Sequence, residues 1–168
     1  MAGQGNNCEA VSQKLAEEQV KLMIKRVAML YHYAGEVLVE RFGEEQGKEL
    51  LTEIIRRYGV EVGESTRQKV EELGLPVTAE NFHAGADLPK WGWVSDKIAC
   101  EDGVERGRIT SCPLADYWKE QGSEKLGRIY CKVDEVKFET YNGTICRHLE
   151  NVLDGDDYCL FDIKDSQR

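Results

Sequence analysis

The first 73 residues carry their apolar side chains at helical spacing, and this long helical stretch limits the possible folds more than any other feature. From Val11 the series runs through Leu15, Leu22, Met23, Val27, Leu30, Ala34, Val37 and Leu38, mostly three or four residues apart. Glu17, Glu18, Lys21, Lys25 and Arg26 fall on the opposite face. That spacing describes one amphipathic helix. A stable helix of this kind buries its stripe, so the series is expected in the core. Gly43 ends or bends the helix. A second helix starts at Glu44-Glu45, acids that suit the positive end of the helix dipole. It carries Leu50, Leu51, Ile54, Ile55 and Tyr58. Gly59 is expected to interrupt it, and Ser65 to cap a third piece that stops at Gly74-Leu75-Pro76.

Beyond Pro76 the texture changes. Pro76, Gly85, Pro89 and Gly92 break the periodicity of residues 76–93, while Phe82, His83, Trp91 and Trp93 add aromatic bulk that favours burial. A loop of this length, with or without a short helix, is a candidate pocket wall or lid. Two β-like runs, residues 93–99 and 104–110, flank Asp102-Gly103, a hairpin-turn signal. Residues 113–121 read as a helix with Pro113 in its first turn, and residues 126–136 as another. Residues 140–148 and 158–163 read as closing strands joined by Asp154-Gly155-Asp156-Asp157. The expected fold is α+β, a helical N-terminal half packed on a small, mostly antiparallel sheet with crossing helices. One domain is expected over residues 1–168, with residues 1–10 disordered, 11–75 helical and 76–168 holding the sheet and most cysteines. At this length the chain buries enough surface to fold without staples.

Charge narrows the partners. With 22 basic and 31 acidic residues the chain carries a formal charge of −9, and its cations are scattered among acids. A phosphate backbone needs a clustered basic face, so nucleic acid is not an expected partner. No apolar run is long enough to span a bilayer, so no membrane partner is expected either. The polar first ten residues lack a signal-peptide pattern, which points to the cytoplasm. There the six cysteines, Cys8, Cys100, Cys112, Cys131, Cys146 and Cys159, are expected as thiols, catalytic groups or metal ligands rather than disulfides. A small-molecule substrate is expected, and a homo-oligomer is compatible with the sequence.

No phosphate-binding glycine loop, HExxH, GxSxG or CxxC stands in the chain, which leaves nucleotide and serine-hydrolase readings without support. What remains is cysteine with acid and histidine. Cys131 and Asp134 are three apart, which on a helix places them on one face about a turn apart. Cys146 and His148 are two apart, which on a strand places both on one face. His148 could serve as a base or a hydrogen-bonded core group. Each cysteine could equally be a small buried hydrophobe, the reading that best suits Cys8 and Cys100. If that holds for all six, the domain is a partner module without chemistry.

The order S-C-P-L from Ser111, W-K-E-Q-G from Trp118, L-G-R-I-Y-C-x-x-D from Leu126 and G-D-D-Y-C-L-F from Gly155 resembles the L-2-amino-thiazoline-4-carboxylic acid hydrolase family. Phe42 to Gly47 and Arg56 to Gly59 fit it more loosely. The resemblance implies a hydrolase that opens a cyclic amidine-like C–N bond, giving S-carbamoyl-cysteine or a related product, with no cofactor. The motif positions carried over are Cys112, Cys131, Asp134 and Cys159. A low-pKa Cys131 or Cys159 would attack the ring carbon, or an activated water would. Asp134 would bind the amidinium; Arg128 and His148 are the substrate-binding candidates, with Lys132 or Arg147 as other receivers for the carboxylate. The ending also resembles four-vinyl-reductase-type ligand-binding domains. That second resemblance implies a small-molecule sensor holding zinc through Cys131, Cys146, Glu150 and Cys159.

Overall fold

The computed structural model describes residues 12–86 and 91–165. Cys8, the expected disorder of residues 1–10 and residues 87–90 of the aromatic loop lie outside them. Helix α1 (Gln13–Phe42) starts where the Ser12 hydroxyl accepts the Leu15 N–H at 3.3 Å. It ends as expected at Gly43, whose φ of +84° suits a residue without a side chain. Helix α2 (Glu44–Glu72) then runs back along α1.

The expected break at Gly59 does not occur. Helix α2 continues through it, and Gly59 is buried. Its role is close approach: a Cβ there would lie 2.8 Å from Cβ of Val136, and one at Gly63 would lie 2.6 Å from the Lys137 carbonyl oxygen. These glycines let α2 sit directly on a later helix, and packing outweighs their poor helix propensity of about 1 kcal/mol each.

The stripe expected in the core is also corrected. The buried face of α1 is Ile24, Ala28, Tyr31, His32 and Gly35. Met23, Val27, Leu30 and Val37 are exposed. Helix α1 is apolar on two sides, and periodicity alone cannot rank them. The side with small residues wins because it admits close neighbours. The Trp118 indole N–H donates to the Ala28 carbonyl at 3.1 Å, and the Tyr31 hydroxyl donates to that of Leu126 at 2.9 Å.

After a 3-10 turn at Ala79–Asn81, the short α3 (Phe82–Gly85) buries Phe82 against Phe138 and Tyr141. Trp91 stays partly exposed, contrary to its expected burial. Strands β1 (Val94–Ala99) and β2 (Glu105–Ser111) form the expected hairpin, with Gly103 at φ +77°. Helices α4 (Pro113–Glu120), α5 (Glu124–Tyr130) and α6 (Val133–Asn142) follow, then β3 (Ile145–Glu150) and β4 (Cys159–Lys164). The sheet is antiparallel in the order β1-β2-β4-β3, which confirms α+β with a helical first half.

Residues 126–136 were expected as one helix, yet the chain turns at Cys131-Lys132. Ile129 belongs to the core around Trp118, whereas Phe138 and Tyr141 belong to a second core with Val70 and Phe82. Nine residues along a straight helix would point Ile129 and Phe138 in opposite directions. The turn reconciles them, and α6 extends to Asn142, so β3 starts later than expected. Helix α6 links the layers, packing on α2 on one side and β3 on the other. No helix among the described residues is long and apolar enough to cross a membrane.

Candidate active site

Pairing places Cys146 opposite Ile163, His148 opposite Phe161, and Ile109 opposite Cys159. Paired residues share a face, so Cys146, His148, Phe161 and Cys159 all lie on one side of the sheet. Cys146 and Cys159 are buried there, and the His148 side chain is 2% exposed. The expected common face of Cys146 and His148 is therefore present. Arg147 points to the other, exposed side, away from His148. It is not placed to receive a substrate carboxylate at this cluster.

Asp134 is in the first turn of α6, one turn beyond Cys131, which caps α5; its N–H donates to the Cys131 carbonyl at 3.2 Å. The two are a turn apart as expected, although not in one helix. Both carboxylate oxygens of Asp134 are taken. Lys137 Nζ donates to Oδ1 at 2.5 Å, and His148 Nε2 lies 3.1 Å from Oδ2. Asp134 is therefore not free to bind an amidinium, and its expected role changes to that of a partner for His148. Burial opposes its ionisation, but Lys137 and His148 outweigh burial and hold the carboxyl below its ordinary range. Lys137 itself lies 5.7 Å from the ring centres of Phe82 and Phe138.

On the other side of the imidazole, Nδ1 of His148 is 2.8 Å from Nδ2 of Asn151. Oδ1 of Asn151 accepts the Leu153 N–H at 2.9 Å, which leaves the amide N–H2 to face the ring. That contact favours a neutral imidazole carrying its proton on Nε2, toward Asp134. Charge pulls the other way. Burial lowers the proton affinity of His148, but hydrogen bonds to Asp134 and Cys159 outweigh burial and raise its pKa to about 9. The ring is held between an anion that favours protonation and an amide that resists it.

The cysteines differ. Burial, aided by Asp134, pushes Cys131 up to about 12 and Cys146 likewise to about 12. The expected low-pKa thiol is therefore not Cys131, which burial keeps protonated although a hydrogen bond with Asn151 works the other way. Burial also raises Cys112, although its sulfur takes the backbone N–H of Ala115 at the start of α4. Cys159 shares the sheet face of His148 and is among the groups that raise the pKa of the imidazole. Arg128 donates to Asp154 at 2.8 Å, so it would have to release that partner to hold a substrate. His148 is enclosed by Asp134, Asn151, Cys159 and Phe161, which places it beside the reacting group rather than as a free substrate contact.

Cys131, Cys146, Glu150 and Cys159 are not brought together as a ligand set: among the described residues no three His, Cys, Asp or Glu side chains converge as metal ligands do. A surface groove of about 480 Å³ lies between α2 and the α5–α6 turn, lined by Lys48, Thr52, Arg56, Ile129 and Lys132. It does not include the cysteine–histidine cluster. Closer open space exists at Gly107, opposite Phe161 and two residues from Ile109; a Cβ there would meet nothing within 4 Å. Lys97, paired opposite Gly107, brings a cation to that face, where it pairs with Glu105 at 3.2 Å.

Sequence reasoning missed Lys137 and Asn151. Lys137 was legible as an i, i+3 partner of Asp134 on a helix. Asn151 was not, because its contact with His148 depends on how the chain leaves β3. A family model described as L-2-amino-thiazoline-4-carboxylic acid hydrolase matches residues 14–163. No curated protein matches the chain.

Proposed function

The chain belongs to the L-2-amino-thiazoline-4-carboxylic acid hydrolase family, and from that premise we propose that it opens the C–N bond of a cyclic amidine-like substrate with Cys159 as nucleophile. The observation that carries this reading is the sheet face shared by Cys159 and His148, with Nε2 of His148 held by the half-buried Asp134 carboxylate. A nucleophile, a base and a group that orients the base form the constellation of covalent acyl-transfer catalysis.

In this mechanism Nδ1 of His148, released by the Asn151 amide, takes the Cys159 proton, and the sulfur adds to ring carbon two, flanked by nitrogen and sulfur. The imidazolium returns the proton to the ring nitrogen as the carbon–nitrogen bond breaks. A water then adds to the same carbon, and the Cys159 sulfur leaves with a proton. The net change is addition of one water, and 2-amino-thiazoline-4-carboxylate gives S-carbamoyl-cysteine and regenerated Cys159 thiol. Asp134 keeps the ring oriented and supports its charge, while Lys137 keeps Asp134 ionised. The open face at Gly107 is the approach, and Lys97 is the cation on that face, which would exchange Glu105 at 3.2 Å for the substrate carboxylate.

Turnover of 2-amino-thiazoline-4-carboxylate, followed by mass spectrometry of the product, tests the reading. Cys159→Ala is expected to lower kcat by at least about a thousandfold and Cys131→Ala far less. Intact turnover in Cys159→Ala would exclude the thiolate route.

A further inference from the structure

Helix α1 leaves nine large apolar side chains in water: Leu15, Leu22, Met23, Val27, Met29, Leu30, Tyr33, Val37 and Phe42, each 40–74% exposed. Five positions along this face, Met23, Val27, Leu30, Ala34 and Val37, repeat at steps of four, three, four and three. That is the heptad seam by which one helix packs against another. Among the described residues nothing covers it, because α2 and α4 pack on the side of Ala28 and Gly35. A contiguous unpartnered apolar stripe of this kind marks a protein interaction site.

We infer that this seam is the interface of a homodimer in which α1 of two copies pair antiparallel about a two-fold axis beside Leu30, Tyr33 and Ala34. Charge complementarity selects both the occupant and the direction. Arg26 and Glu40 flank the seam on the same side, fourteen residues apart and seven from Tyr33. The ion pairs of α1 are Lys25 with Glu120 and His32 with Glu36; among the described residues Arg26 and Glu40 have none. In an antiparallel pair the dyad sets Arg26 of each copy beside Glu40 of the other, twice. A parallel pair would put the Arg26 and Glu40 positions of the two copies on opposite flanks and make neither contact. The same register stacks Val27 on Val37 and Leu30 on Ala34 across the axis, alternating large and small groups. An anionic lipid surface fits less well, since the chain carries a net charge of −9.

Sedimentation equilibrium of the full chain across the micromolar range tests this, with circular dichroism to confirm that each variant folds. The wild type is expected to be a dimer. Leu30→Glu, at a position 74% exposed in the single chain, is expected to weaken association about 30-fold or more with the helical signal intact. Arg26→Glu is expected to weaken it roughly fivefold, and the double reversal R26E/E40R to restore it. A wild-type monomer at every concentration would overturn the inference and leave residues 1–11 or a different protein as the occupant. A dimer indifferent to Leu30→Glu would overturn it by placing the contact elsewhere. A double reversal no tighter than Arg26→Glu would overturn the antiparallel arrangement.

Discussion

Nε2 of His148 on β3 lies 3.1 Å from Oδ2 of Asp134 in the first turn of α6, and through this contact the sheet is tied to the helix beneath it. Burial disfavours a charged ring there, but Asp134 and Cys159 outweigh burial and raise the pKa of His148 from 6.5 to about 9. The folded chain therefore binds this proton more tightly than the unfolded chain. The stabilisation is complete below pH about 6.5 and is lost as pH rises through about 9, a change on the order of 3 kcal/mol. Urea unfolding at a series of pH values should show the midpoint falling across that window. In His148→Asn the fall should be largely gone. Asp134 acts at the other end: its lowered carboxyl stabilises above pH about 4, and that part is lost as acid protonates it.

Asn151 should hold the His148 titration down. Its amide N–H2 faces Nδ1, where a protonated ring would present a second N–H. Replacing it by Ala removes that opposition. The imidazole resonance of His148 in Asn151→Ala should titrate about half a unit to one unit higher than in the wild type. An unchanged or lower value would mean that the amide presents its oxygen to the ring.

Lys137 and Asp134 should behave as a buried pair whose halves cost more alone than together. The Lys137 side chain is 12% exposed and that of Asp134 21%. Lys137→Met leaves the carboxylate short of its cation and should cost about 3–5 kcal/mol in denaturant unfolding. Adding Asp134→Asn to Lys137→Met should recover part of that loss. A cost below about 1 kcal/mol for Lys137→Met would show the pair to be solvated.

Gly59→Ala should destabilise although alanine is the better helix former by about 1 kcal/mol. The new methyl would meet Val136 at 2.8 Å where α2 lies on α6. A loss of about 1–3 kcal/mol is expected, partly relieved by Val136→Ala. Thermal unfolding of the two single variants and the double variant measures it.

Gly107→Leu should separate stability from turnover. Space is open at that position, so stability should change by less than about 0.5 kcal/mol. Because the side chain would fill the approach to Cys159, kcat/KM on the cyclic amidine substrate should fall tenfold or more. Unimpaired kcat/KM would place the approach elsewhere.

Much of the framework was legible. Gly43 and Asp102-Gly103 marked their turns because a positive φ selects glycine locally, and α4 followed from Pro113. The misreadings share a cause. Gly59 looked like a breaker because its reason for being there, the side chain of Val136, lies 77 positions along the chain. Cys131 looked reactive because spacing shows its neighbours and not its burial. Asp134 looked free because Lys137 and His148 fill its oxygens only once α6 and β3 are assembled.

The sequence by itself determined the helical first half and the mostly antiparallel second half in outline, which residue types could carry chemistry, and, through its motifs, the family. These are properties of spacing and composition within a few turns of chain. Only the tertiary structure decided which apolar side of α1 is core, which cysteine meets the histidine, and what each carboxylate faces. Those outcomes depend on contacts between segments distant in sequence, where close packing and the cost of an unpaired buried charge select one arrangement among several that local pattern permits.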